Sequence, residues 1–221
     1  MENKIKLRKF WKNKRVLITG HTGFKGAWLS IWLKMYGAKI AGISLPPKKK
    51  SVYNIANLKK IFFKSTYLDI NNLGLLKKEI SKIKPSIIFH MAAQPLVINS
   101  YKFPLKTIKT NVLGTANILE ICKNLKSLKT ILVITTDKVY KNLNNKKFFN
   151  EKDELGGDDV YSYSKASVEM LVNAYKKSFF GKKINIATAR AGNVIGGGDW
   201  SEFRIIPDFI RAYISKKIFI I

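Results

Sequence analysis

Tyr161 and Lys165 stand four residues apart in Tyr161-Ser162-Tyr163-Ser164-Lys165, the spacing that stacks two side chains on one helix face. A phenol with a pKa of about 10 is a poor base at neutral pH, but a nearby positive charge favours the phenolate. Such a pair can remove a hydroxyl proton while hydride leaves the same carbon. In a lysine-rich chain the spacing alone says little, so its neighbours matter. Thr135-Thr136-Asp137-Lys138 close an apolar run. A threonine hydroxyl there can hold a substrate hydroxyl, and a carboxylic acid can protonate departing water. Asp137 could equally be a solvent-facing loop charge.

A hydride needs an acceptor, and the N-terminal third offers a place for one. Gly20-His21-Thr22-Gly23-Phe24-Lys25-Gly26 follows the apolar run Val16-Leu17-Ile18. Backbone N–H groups can approach a pyrophosphate only where side chains do not intervene. Gly20 permits the tight turn, Gly23 the approach of the phosphates, and Gly26 close helix packing. Asp69, followed by Ile70, could accept a hydrogen bond from an adenine amino group, or N-cap the next helix. At the end of the second strand, where an acidic residue would bind the adenosine ribose, stands Ser44. No arginine stands there to receive a 2′-phosphate, so NAD is expected over NADP. His90-Met91-Ala92-Ala93-Gln94 offers small residues against which a flat cofactor can lie. His90, closing an apolar strand, reads as a packing residue, and His21 as a structural or cofactor-side contact.

The positioning elements follow from apolar runs and their punctuation. Strands are expected at Val16–Thr19, Lys39–Ile43, Ile61–Leu68, Ile87–His90, Thr130–Ile134 and Ile184–Ala189. Helices are expected at Phe24–Tyr36, Ile70–Ile83, Phe103–Asn124 and Val160–Phe179, with Asn142–Asp159 as a polar loop. This alternation predicts an α/β fold, a doubly wound parallel sheet of the Rossmann type.

The chain carries 41 Lys and Arg against 14 Asp and Glu, a formal charge of +27. Only five of the basic residues are arginine, and the lysines are scattered, so a solvated surface is expected in preference to a nucleic-acid site. The field should still favour an anionic ligand. Cys122 is expected as a buried, reduced thiol. No apolar run has the length of a membrane span or a signal segment, which predicts a cytoplasmic protein.

With these sites in this order, the sequence resembles the extended short-chain dehydrogenase/reductases that modify nucleotide-sugars. The Thr136-Asp137 pair is similar to that of the 4,6-dehydratases. Thr136-Asp137-Lys138, the glycine turn and Arg190-Ala191-Gly192-Asn193-Val194-Ile195-Gly196-Gly197-Gly198-Asp199-Trp200 look like those of the CDP-glucose 4,6-dehydratases. The resemblance implies a lyase acting on a nucleotide-sugar, CDP-glucose by preference, with NAD as a bound cofactor, in deoxysugar synthesis for surface polysaccharide. It implies catalytic roles for Thr136, Asp137, Lys138, Tyr161 and Lys165. The position of the family's C5 base, a glutamate, is held here by Lys138. Around NAD it implies Gly20, Thr22, Gly23, Phe24, Lys25, Gly26, Asp69, Ile70, Ala92 and Ala93, with Tyr161 and Lys165. For the substrate it implies Gln94, Asn193 and Arg204, and no metal. The helices Phe103–Asn124 and Val160–Phe179 match those that pair across a homodimer in such enzymes. Residues 1–190 would form the NAD-binding domain and 191–221 the start of a substrate lobe, with the remainder missing. The end, Ile218-Phe219-Ile220-Ile221, reads as an apolar strand. Another nucleotide-sugar dehydratase or epimerase, or an inactive NAD-binding remnant, are the alternatives.

Overall fold

The computed structural model describes residues 2–141 and 148–219. Six parallel strands, β1 (Arg15–Thr19), β2 (Lys39–Ser44), β3 (Lys64–Tyr67), β4 (Ile87–His90), β5 (Thr130–Thr136) and β6 (Asn185–Ala191), form one sheet in the order β3-β2-β1-β4-β5-β6. Val16, Leu17 and Ile18 of β1 are wholly buried, as a central strand covered on both faces requires. Side chains alternate across a strand. Leu17 joins Leu76, Ile80, Ile118, Ile131 and Val168 on one side of the sheet. Val16 and Ile18 join Ala27, Leu33, Ile40 and Tyr53 on the other.

The first layer comprises α4 (Leu73–Ile83), α7 (Gly114–Cys122) and α8 (Val160–Tyr175), and α2 (Phe24–Met35) and α3 (Val52–Ile55) supply the second. Cys122 is buried in the first core, and burial pushes its thiol up to about 12. Among the described residues no helix is long and apolar enough to cross a membrane.

Several boundaries differ from the sequence expectation. The third strand is only Lys64–Tyr67, because Leu58–Ile61 forms a 3-10 turn and Phe62 is buried beside Tyr53 and His21. The basic N-terminus is a helix, α1 (Glu2–Trp11), seated by Trp11 against Trp32 and Phe89. Val97–Lys102 adds α5. The expected helix at 103–124 is α6 (Pro104–Ile108), a π turn at Lys109–Leu113, and α7. That wider turn holds Asn111, whose buried amide accepts from the Gln94 N–H at 2.8 Å and donates to Ser164 Oγ at 2.9 Å. The last helix, α9 (Ile205–Ile214), has no buried residue. Ile218 and Phe219 are not in a strand, contrary to expectation, because the described sheet ends with β6. Ile220, Ile221 and the 142–147 part of the expected polar loop lie outside the described residues.

One hydrogen-bond chain ties the centre together. Thr19 Oγ1 accepts from the N–H groups of Met91 (3.1 Å) and Ala92 (3.2 Å), and lies 2.7 Å from His90 Nδ1. The Thr19 hydroxyl therefore donates to Nδ1, leaving Nε2 to donate to Thr115 Oγ1 at 2.9 Å, and Thr115 to donate to the Asn111 carbonyl at 2.6 Å. Burial, with the Lys165 charge, pushes His90 down to about 3, so it is neutral. Burial likewise lowers His21 to about 4; its ring packs on Gly42 and bonds Ser65 Oγ at 2.8 Å.

Both histidines have folded pKa values below the unfolded 6.5, so the unfolded chain binds protons first as pH falls. The histidines' contribution to stability should be complete above about pH 6.5 and decline towards pH 4, each pH unit costing up to about 1.4 kcal/mol per histidine. Urea midpoints measured across that window should fall, and His90→Gln should flatten the slope. Equal midpoints at pH 6.5 and 4.5 would contradict this.

Candidate active site

The strand order reverses between β1 and β4, which opens a crevice at their carboxyl ends. The glycine turn forms its floor. Gly20 has φ +78°, and a Cβ there would lie 2.8 Å from the Ala92 nitrogen. A Cβ on Gly26 would lie 2.3 Å from the Gly20 carbonyl oxygen. Gly26 is thus required by the turn folding back on itself, where the sequence reading assigned it to helix packing. Gly23 is different: a Cβ there meets only the Gly20 oxygen, at 3.3 Å. It also N-caps α2 without any side-chain acceptor for the first N–H groups, which suits a phosphate. Thr22 bonds Ser44 Oγ at 2.7 Å and donates to the Leu45 carbonyl. The residue at the end of β2 is therefore a hydroxyl secured by the turn. These features fit a dinucleotide: a cradle without side chains, free amide donors, and small Ala92 and Ala93 at the end of β4.

Asp69 is exposed and accepts from the backbone and side chain of Asn71, both at 2.9 Å. It does not cap α4; Asn72 does. The Ile70 side chain is buried, close enough to Gly114 that a Cβ there would meet it at 2.5 Å.

The chemistry-bearing residues meet where β5 ends and α8 begins. Asp159, missed by the sequence reading, caps α8 by accepting from the N–H groups of Tyr161 (2.8 Å) and Ser162 (3.0 Å). This fixes Tyr161 and Lys165 in the first turns of α8, both buried. Thr136 donates to Asp137 Oδ1 at 2.9 Å, while Asp137 and Lys138 are exposed beyond it. Burial pushes the Tyr161 phenol above its ordinary value; the Thr136 hydroxyl and the Arg204 guanidinium pull it down, and Asp137 and Asp159 push it up. Lys165 is lowered to about 8, first by burial and then by Lys25, with Glu169 opposing. Its ammonium donates to the Ile134 carbonyl at 3.2 Å.

A cavity of about 780 Å³ opens beside these groups. Thr136, Lys138 and Tyr161 form one wall, Lys25 another, and residues 191–200 with α9 the roof. Trp28 holds that roof by donating to the Gly197 carbonyl at 3.0 Å. Its charged lining is Lys25, Lys138, Arg204 and Arg211 against one carboxylate, Asp199. Burial and the neighbouring Arg204 both lower Lys25, the response expected of cations gathered for an anion. Asn193 and Arg204 line the cavity. Gln94 does not: its amide donates to the Leu96 carbonyl and Thr107 and accepts from the Leu96 N–H, organising the loop after β4. Phe24 lies under Gly196 in the roof. Among the described residues no cluster of His, Cys, Asp and Glu could hold a metal ion.

A family model described as GDP-mannose 4,6 dehydratase matches residues 17–212. The chain belongs to the extended short-chain dehydrogenase/reductases of the nucleotide-sugar dehydratase and epimerase family. Within this family it is 42% identical to CDP-glucose 4,6-dehydratase of Salmonella typhimurium, over 97% of the chain and 61% of that enzyme. It is 36% identical to dTDP-D-glucose 4,6-dehydratase of Dictyostelium discoideum, over 92% of the chain and 49% of that enzyme. The chain thus spans about half to three-fifths of these relatives. Among solved structures, dTDP-glucose 4,6-dehydratase from Bacillus anthracis in complex with NAD superposes with a TM-score of 0.77 at 26% identity, over 91% of this chain and 62% of that one. An epimerase from Methanothermobacter thermautotrophicus reaches 0.81 at 23% identity, over 96% of this chain and 62% of that one, a likeness of fold alone.

The two glycines of the turn should respond differently. Gly23→Val should still fold, at a modest cost where its Cβ presses the Gly20 carbonyl oxygen, yet lose NAD binding, because its branched side chain fills the phosphate approach. Gly26→Ala should be destabilised by ~2 kcal/mol or more, since its methyl strikes backbone. Calorimetric titration with NAD and thermal melts check both, and unchanged NAD affinity in folded Gly23→Val would remove the turn from the site.

Proposed function

We propose that this chain carries the catalytic half of a nucleotide-sugar 4,6-dehydratase of the CDP-glucose type, with NAD as resident cofactor. The observation that carries the reading is the meeting of Thr136 and Tyr161 on the wall of a cavity lined by four cations and one carboxylate, with Asp137 outside that lining but near enough for its charge to act on the phenol. A nucleotide-sugar brings a diphosphate to meet those cations and a sugar hydroxyl to meet the phenol. The 42% identity to the Salmonella enzyme supports CDP-glucose as the substrate.

NAD, held by the glycine turn, Ala92, Ala93 and Lys165, would supply the hydride acceptor and donor of an internal redox cycle. Tyr161 takes the proton of the C4 hydroxyl, which the Thr136 hydroxyl orients. The resulting 4-ketone acidifies the C5 proton. Asp137 protonates the hydroxyl that leaves C6 as water, and Tyr161 keeps the C4 oxygen in place throughout. Lys138, on the cavity wall, holds the sequence position of the family's C5 base, a role it could fill only as the free amine. Lys25, Asn193 and Arg204 hold the diphosphate. Product and substrate differ by one water, with no net oxidation.

A second reading is NAD binding without turnover; the chain spans about half to three-fifths of these relatives. A homodimer, proposed from the resemblance, is supported by exposed Leu105, Leu113, Tyr163 and Met170 on the helical run 104–122 and on α8. Sedimentation at tens of micromolar should give a dimer, and monomer alone would count against it.

The chemistry is tested by incubating NAD and CDP-glucose with the chain in deuterated water and reading the sugar by mass spectrometry. The parent should lose water. Asp137→Asn should still exchange the C5 proton while water loss slows by ~100-fold or more, the usual scale for removal of a general acid. Tyr161→Phe should do neither. Equal water loss in Asp137→Asn and the parent would dismiss Asp137 as the acid, and neither exchange nor loss in the parent would favour the second reading.

A further inference from the structure

Glu169 lies one turn beyond Lys165 and two beyond Tyr161 on the same face of α8, and the chemistry above makes no use of it. Its side chain is only 6% exposed. A buried carboxylate is tolerated only when paired and hydrogen-bonded, and this one is. Thr135 donates to Oε1, Thr188 donates to Oε2 at 2.8 Å, and the Arg190 guanidinium reaches Oε2 at 3.2 Å. All three donors sit near the carboxyl ends of β5 and β6. Thr135 immediately precedes Thr136 and Asp137, and Arg190 immediately precedes the residues that roof the cavity. The guanidinium also lies over the Tyr140 ring, 4.9 Å from its centroid, just past Lys138.

We propose that Glu169 is a positioning residue that fastens the helix carrying Tyr161 and Lys165 to the ends of β5 and β6, and that it holds the positive charge on Lys165. The proposal rests on the site reading given under Proposed function.

The charge balance supports it. Lys165 faces Lys25 from the glycine turn, His90 from β4, and Tyr161 and Glu169 from its own helix, while its ammonium donates to the Ile134 carbonyl. Lys25 repels it, His90 is neutral, and Glu169 is the anion that sustains it. Arg190 faces Glu169 from β6 and partly neutralises it. Loss of the Glu169 charge should therefore let Lys165 deprotonate within the working pH range. Loss of Arg190 should do the reverse.

The test is the titration of Lys165 in the full chain, followed by NMR with lysines labelled at Cε and the Lys165 signal assigned by its absence in Lys165→Arg. In Glu169→Gln, which keeps the shape and one acceptor, the midpoint should drop by about one pH unit or more. In Arg190→Gln it should rise. Mere loosening of the packing would expose Lys165 and raise its midpoint in both variants, so a drop in Glu169→Gln separates the two explanations. An unchanged or raised midpoint in Glu169→Gln, with only a lower melting temperature, would overturn the proposal. Should that variant fail to fold, an unchanged or lowered midpoint in Arg190→Gln would overturn it, as would a rise accompanied by a lower melting temperature; a rise at unchanged melting temperature, which loosening would not give, would support it. The titration needs neither substrate nor turnover, so it can fail while the dehydratase reading stands, and the reverse.

Discussion

The hydroxyl of Thr19 is the joint on which the site depends. It sits where the strand order turns, at the end of β1, and accepts two backbone N–H groups from the start of the loop after β4. Parallel strands that feed opposite directions leave their following loops to diverge, which makes the crevice but also leaves backbone donors to satisfy. Thr19 satisfies two of them and passes its own proton to neutral His90. The chain continues through Thr115 to the Asn111 carbonyl, and the Asn111 amide reaches Ser164 next to Lys165. The crevice floor and the start of α8 thus share one buried polar network. Such networks are rigid when every member is satisfied.

Around that joint the division of labour is electrostatic. The wall bearing Tyr161 is dry, which raises the phenol, and the correction comes from groups on other elements: Thr136 at the end of β5 and Arg204 at the start of α9. Arg204 is paired with buried Asp199 at 3.4 Å, so its position is set by the roof loop. The same arginine lowers Lys25 across the cavity. An anion bound between them would relieve that repulsion, which ties affinity for a diphosphate to the state of the phenol. The apolar face of α9, with Ile205, Ile210 and Ile214 exposed, borders the same space.

The sheet was legible because buried parallel strands are short apolar runs, and Val16-Leu17-Ile18 followed by Gly20 is such a run with its turn. The meeting of Thr136 with Tyr161 was legible from motif and order. What escaped depends on partners distant in sequence. Asn111 looks like any polar helical residue until Gln94 and Ser164 are placed beside it, and the π turn that admits it has no local signal. Gln94 was expected at the substrate from the resemblance, and its partners Leu96 and Thr107 could not be read from the sequence. Glu169 could have been found, since it extends the Tyr161, Lys165 spacing by one further turn. Helix α1 was hidden by its charge: of its side chains described, from Lys4 on, only Leu7 and Trp11, four residues apart, escape full exposure.

The account's central claim is that one buried tyrosine, one carboxylic acid and a dinucleotide at the β1–β4 crevice move a hydride within a single sugar. The most direct measurement follows an isotope: CDP-glucose deuterated at C4 is incubated with the chain and NAD, and the product is examined by NMR. The account predicts a 4-keto-6-deoxy sugar with the deuterium at C6. Product formed with that deuterium lost to solvent, or returned to C4 in an epimerised sugar, would contradict it.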